Sequence, residues 1–252
     1  MAAVPPELYA HRLGCAYGPD SSAAALTRAL ERPLDGLETD CCPTAVGELV
    51  LLHDPLLEVV TMLSGWAHER TAAQIRVGRF RHRDGTPSDE RPLPVDELLE
   101  RALPGATLQL EIKAHADPAL ARRTTRALCE RVRDHPARER TEVISFWSGA
   151  CELAGEPGFR ARLVASPTTA YTRSQPGGDA SGATAYASST SSPRARSSQL
   201  SERSDRASRT GTLNHVALLA PLLPFGLDAV TATPPELGAA LGQAHFTLPR
   251  AA

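Results

Sequence analysis

A chain of 252 residues has room for one large domain or two small ones. Apolar residues make up 42% and charged residues 22%, ordinary values for a soluble globular protein. The 27 basic and 29 acidic residues nearly cancel, so no global field points to nucleic acid or an anionic membrane, and no nucleic-acid partner is expected.

No window approaches the roughly 18 consecutive apolar residues that a membrane span requires. The N-terminal MAAVPPELYAHR has neither the basic start nor the apolar core of a secretory signal. A cytoplasmic protein with no membrane span is the expectation. Cysteines 15, 41, 42, 129 and 151 form an odd set with no C-x-x-C pair. Buried thiols in a reducing compartment fit them better than a disulfide framework or a zinc knuckle.

In chain order, short apolar runs predict strands over 8–13, 36–41, 48–52, 107–112, 142–146, 160–165 and 227–231. Helical patterns lie between them over 22–31, 95–102, 118–134, 149–154 and 235–244. Asp117 followed by Pro118 has the signature of an N-cap with proline at the first helical position. This alternation points to βαβ units and a parallel sheet. Strand 48–52 follows a short turn at Gly47, so it reads as a hairpin-like excursion and not a crossover.

The stretch 167–209 differs from the rest: it has eleven serines, and from Val, Ile, Leu, Met, Phe and Trp it has Leu200 alone. Such a composition cannot line a core face and predicts disorder across 167–210. About 40 residues follow it, too few to fold readily alone, so they read as the closing part of the same domain. A single domain, 1–252, interrupted at 167–210 is the expected organisation. A locally shifted reading frame, later restored, and a genuine inserted loop are both open explanations. Sequencing the gene separates them.

The chemistry-bearing residues fall at strand ends. His11 and Arg12 end the first strand; Glu38 and Asp40, two apart on the second, share a face. His53 and Asp54 end the Leu-rich run, and Glu111 and Lys113 close TLQLEIK. Carboxylates inside an apolar run are costly unless paired or metal-bound. Hard divalent ions favour carboxylate oxygens, and histidines supply general acids and bases. Together these residues suit a metal-dependent attack on a phosphodiester.

The order H-R … E-T-D … T-x-x-G-E-L-V-L-L-H-D … S-G … E-I-K resembles the glycerophosphodiester phosphodiesterase family over 8–166, and weakly again over 211–240. The resemblance implies an α/β fold, a (β/α)8 TIM barrel, irregular or incomplete around 167–210. It implies Glu38, Asp40 and Glu111 as ligands of Mg²⁺ or Ca²⁺, His11 and His53 as the acid/base pair, and Arg12 and Lys113 as phosphate-binding groups. Asp54 would orient His53 or support the metal shell; Phe146 and Trp147 would either wall the substrate or pack in the core. The implied activity is hydrolysis of a small glycerophosphodiester to glycerol 3-phosphate and an alcohol.

Two alternatives stand beside it. One is a lysophospholipase D-like barrel enzyme, which an apolar surface loop beside the site would favour; the sequence shows none. The other is a catalytically impaired relative with a damaged barrel. The chain also departs from the family pattern. The glycerophosphodiesterase glycine after H-R is Leu13, P-E-N-T reads Pro19-Asp20-Ser21-Ser22, a turn Asp is Val46, T-D-x-P reads Ala232-Thr233-Pro234-Pro235, and the aromatic before T-x-N is Gly211.

Overall fold

The computed structural model describes residues 6–82, 84–102, 105–113, 117–165, 186–187, 209–213 and 228–233. Its parallel strands are β1 (Glu7–Ala10), β2 (Gly36–Pro43), β4 (Thr107–Ile112), β5 (Thr141–Ser145), β6 (Arg160–Ala165), β7 (Tyr186–Ala187), β8 (Arg209–Leu213) and β9 (Ala229–Ala232). Each pairs in parallel with the next, and β9 pairs back with β1. The one antiparallel member, β3 (Leu49–Leu51), is attached to β2 as the expected hairpin excursion. The fold is therefore an α/β barrel, as the resemblance implies, and among the described residues its shortest parallel strand is β7, with two residues. The disorder expected across 167–210 lies outside the described residues, apart from Tyr186–Ala187 and the first two residues of β8; so does the helix expected over 235–244.

The two faces of the strands carry opposite chemistry. Leu37, Leu108, Leu110, Ile112 and Val143 face outward and form the main apolar core with Leu26, Leu98, Leu99, Leu128 and Val132 of the covering helices. Those helices are α1 (Ala23–Leu30), α4 (Val95–Arg101), α5 (Pro118–Val132) and α6 (Ser148–Gly155), with two short ones, α2 (Leu57–Val60) and α3 (Ala72–Arg76), described below. Burial on both faces explains why all eight residues of β2 are inaccessible.

Local signals set the helix starts. The Ser22 side chain accepts the Ala25 amide at 3.2 Å. The Asp117 carboxylate accepts the Ala119 and Leu120 amides at 2.9 and 3.1 Å, with proline at the first turn as the sequence predicts. Each such cap stabilises its helix by about 1 kcal/mol.

Between β3 and α4 the chain builds a small excursion containing α2 and α3. A second apolar cluster of Val50, Leu52, Leu57, Ala67, Ile75 and Phe80 holds it against the hairpin. Thr71 and Gln74 form a reciprocal capping box at its α3.

The first strand ends earlier than its apolar run suggests. Extended backbone stops at Ala10, and His11–Leu13 form a tight turn in which Arg12 and Leu13 have φ of 48° and 57°. A left-handed backbone costs a non-glycine residue roughly 1–2 kcal/mol. Leu13, where the family pattern has glycine, carries that cost and offsets it by complete burial in the core. Deeper in the barrel, Gly36 makes room for Tyr9: a Cβ there would meet the Tyr9 ring at 2.4 Å.

Candidate active site

Parallel pairing sets the site. The register places Glu38 opposite Gln109 and Asp40 opposite Glu111, so alternate residues of β2 and β4 share the barrel interior. Glu38, Asp40 and Glu111 are all buried, and one oxygen from each lies within 4.8 Å of the others. Two full negative charges at that separation repel by roughly 3 kcal/mol at an effective dielectric near 20. Three of them require compensation.

Part of it comes from Lys113, two residues past Glu111 on the same face, whose Nζ lies 2.5 Å from Asp40 Oδ1 and 2.7 Å from Glu111 Oε1. Glu38 Oε2 accepts the Arg12 amide at 3.0 Å, a bond that the left-handed turn after β1 makes possible. These contacts do not complete the balance. Burial, then Asp40 and Glu111, hold Glu38 well above the usual carboxylate range. Burial and Asp40 push Glu111 up to about 7, against the pull of Lys113. Asp40 and Glu111 in turn raise the Lys113 ammonium despite its burial.

Asp40 Oδ2 is buried without a hydrogen-bond partner among the described residues. An unmatched carboxylate oxygen in an all-carboxylate trio suits a hard divalent cation, which prefers oxygen donors and offsets excess negative charge. The residues present therefore fit Mg²⁺ or Ca²⁺.

The other expected residues are placed as follows. His11 stands beside the trio, with Nε2 3.8 Å from Glu38 Oε2 and Nδ1 3.2 Å from Thr233 Oγ1. Burial, reinforced by Arg12, lowers His11 to about 4, so the ring is neutral near pH 7. The Arg12 guanidinium contacts Asp20 rather than the carboxylate trio, and only the Arg12 amide joins the site. His53, at the end of the hairpin strand, holds Asp54 through Nδ1 at 2.8 Å. Its link to the other site groups is electrostatic: a charge on His53 opposes one on His11. Phe146 is 43% exposed at the end of β5 and Trp147 packs against the outer core, with the Arg122 guanidinium 5.1 Å from its ring centroid.

Three features escape sequence reasoning. Thr233 reaches His11 from the last strand. Buried Glu142 binds Arg162 Nη2 at 2.9 Å and Gln109 Nε2 at 3.1 Å inside the barrel. The excursion after Asp54 leaves Val59, Met62 and Trp66 exposed, where no apolar surface loop was expected. Trp66 is bridged to Leu56, and Ala67 donates to the Pro55 carbonyl at 2.8 Å, so this surface adjoins the His53–Asp54 pair. They stand in the mixed run VVTMLSGW, whose composition does not tell which of its apolar side chains face solvent.

The sequence pattern of the glycerophosphoryl diester phosphodiesterase family matches residues 11–152, more than half of the chain and all the site residues except Thr233. The chain belongs to this family. Among curated proteins it is similar to glycerophosphodiester phosphodiesterase 1 of Rattus norvegicus, 30% identical over 116 residues that cover 44% of this chain and 35% of the rat protein. The chain thus matches about a third of the length of that relative. Among solved structures it is similar in fold to the Oleispira antarctica phosphodiesterase in complex with its product sn-glycerol-3-phosphate. The TM-score is 0.71 at 20% identity, over 94% of this chain and 96% of that one. A glycerophosphodiester phosphodiesterase from Thermotoga maritima gives a TM-score of 0.67 at 15% identity, over 94% and 98%. At these identities the likeness establishes the fold, an α/β barrel whose enzymes carry their sites at the C-terminal ends of the strands. Here His11 follows β1, Asp40 and Glu111 lie in the C-terminal halves of β2 and β4 with Glu38 two residues deeper, and His53 follows the hairpin strand β3.

Proposed function

We propose that this chain, as a single barrel domain, hydrolyses small glycerophosphodiesters to glycerol 3-phosphate and an alcohol. The observation that carries this reading is the buried trio of Glu38, Asp40 and Glu111 at the C-terminal end of the barrel, with an unmatched Asp40 oxygen and a neutral imidazole beside it. The trio would hold Mg²⁺ or Ca²⁺. A bound divalent ion supplies Lewis-acid offset of the charge that develops on phosphate oxygens.

The chain's own residues supply the rest. Neutral His11 and the Asp54-supported His53 form the acid/base pair, one taking a proton from the nucleophile and the other giving one to the departing alkoxide. Lys113 and Arg12 would supply the positive groups for the phosphate once the carboxylates hold their ion. Asp20 fixes the Arg12 side chain, and the Glu38–Arg12 amide bond ties the turn to the carboxylates.

The test offers purified protein glycerophosphocholine with Mg²⁺ or Ca²⁺, with and without chelator. Glycerol 3-phosphate release that chelator abolishes is the expected result. Release that survives chelator overturns the metal role, and absence of release leaves the impaired-relative alternative. Exposed Val59, Met62 and Trp66 beside His53–Asp54 favour a second reading, in which the leaving group carries an acyl chain. Lysophosphatidylcholine, offered in the same assay below its micellar concentration, separates the two by which substrate has the higher kcat/KM.

A further inference from the structure

β1 and β9 pair in parallel register with Ala10 opposite Ala232, so the residues that follow, His11 and Thr233, stand side by side at the rim. Thr233 Oγ1 lies 3.2 Å from His11 Nδ1, across a sequence separation of 222 residues. The opposite ring nitrogen, Nε2, faces Glu38 at 3.8 Å. The ring is thus held at one nitrogen and presents the other to the carboxylate trio. Cys15 Sγ completes a triangle, 3.8 Å from Nδ1 and 3.9 Å from Thr233 Oγ1; these long thiol contacts fill space more than they fix direction.

We propose that Thr233 is a positioning residue for His11, its hydroxyl holding Nδ1 so that Nε2 faces the reacting groups. An imidazole on its own has a broad χ2 well, and one hydrogen bond at Nδ1 removes much of that freedom. A hydroxyl both donates and accepts, so Thr233 pairs with Nδ1 in either neutral tautomer and adds no charge to a crowded electrostatic site. Groups that orient a functional imidazole through its other nitrogen typically contribute 10–100-fold to affinity or activity. Thr233 lies beyond the 11–152 span that the family pattern matches, so the last strand adds a working group to the site as well as closing the wall. The proposal rests on the reading of His11 as an acid/base group.

The test compares Thr233→Val, which removes the hydroxyl at nearly constant volume, with Thr233→Ser, which keeps it. Thr233→Ala serves as a second hydroxyl-free variant in case valine perturbs folding. The expected result is a fall in kcat of roughly 10–100-fold for valine and alanine, with KM within about twofold, and recovery of most of it in serine. Long-range ¹H–¹⁵N spectra of the His11 ring should show a changed Nδ1 resonance in the hydroxyl-free variants and a native one in Thr233→Ser. Full kcat in both hydroxyl-free variants, an unchanged His11 ring spectrum, or a serine variant as impaired as valine would overturn the proposal. If the native protein hydrolyses no diester, the functional reading fails, and the ring spectra still decide whether Thr233 holds His11.

Discussion

The barrel interior holds two charged clusters with opposite balances. Towards the N-terminal end of the strands, one buried carboxylate, Glu142, meets Arg162 at 2.9 Å, Gln109 at 3.1 Å and Arg160 at 3.8 Å. At the C-terminal end, three buried carboxylates lie together, and one ammonium, that of Lys113, pairs with two of them, Asp40 and Glu111. The first cluster is supplied with cations by its own strands. The second is left with raised carboxyls and an unmatched Asp40 oxygen. Burying charge is costly in both, so the difference lies in who completes the set: the chain itself in one and, on the function proposed above, a bound cation in the other. A deficit that local side chains could have filled, and do not, distinguishes a site from a structural ion pair.

The sharpest break of this contrast is Glu111→Gln. It should lower kcat/KM by roughly 10³-fold or more, as removal of a ligand that places a Lewis acid costs several kcal/mol. Calorimetric Mg²⁺ or Ca²⁺ binding should vanish with it, while the metal-free protein melts no lower than the native one because a repulsive buried charge is gone. Retained turnover would remove Glu111 from the ion's seat. Glu142→Gln should behave in the opposite way. Leaving Arg162 without its carboxylate should cost on the order of 3 kcal/mol of stability, read in a denaturant midpoint, with metal affinity unchanged within about twofold. A loss of metal binding comparable to that of Glu111→Gln would show that the two clusters act as one.

Lys113→Gln sharpens the charge argument. Removing the internal cation should tighten divalent-ion binding by several-fold, a change of roughly 1 kcal/mol, while kcat falls for want of a phosphate partner. Weaker ion binding would instead make Lys113 a support of the seat. The gentlest lever is pH. Glu111 is raised from 4.5 to about 7 in the fold, so its contribution to metal-free stability is present below about 4.5 and is lost as pH rises through about 7. Ion binding must displace that proton, so affinity should climb by roughly tenfold per pH unit across the same window. Melting curves from pH 4.5 to 7.5, with and without Mg²⁺, should therefore diverge as pH rises. Parallel curves would indicate that Glu111 is ionised throughout.

Much of the site was legible because a strand has a period of two. Glu38 with Asp40, and Glu111 with Lys113, must each share a face wherever the strand is placed. The strands over 107–112 and 160–165 matched their expected limits for the same reason: their apolar runs are short and sharply bounded. The excursion after β3 was not legible, since its helices of four and five residues are too short to show a helical period. The burial of Glu142 and Arg162 was not legible either. Alternation reports which residues share a side and not whether that side meets water or a closed barrel.

The sequence by itself determined the chemistry on offer, namely which carboxylates and histidines end which strands and which of them share a face, because those relations are local consequences of backbone geometry. Tertiary structure decided who meets whom. The β2–β4 register set Asp40 beside Glu111, the left-handed turn at Arg12 aimed its amide at Glu38, and closure of β9 on β1 brought Thr233 to His11. Such pairings join residues far apart in the chain, and their geometry is set by the ring of strands as a whole rather than by any segment within it.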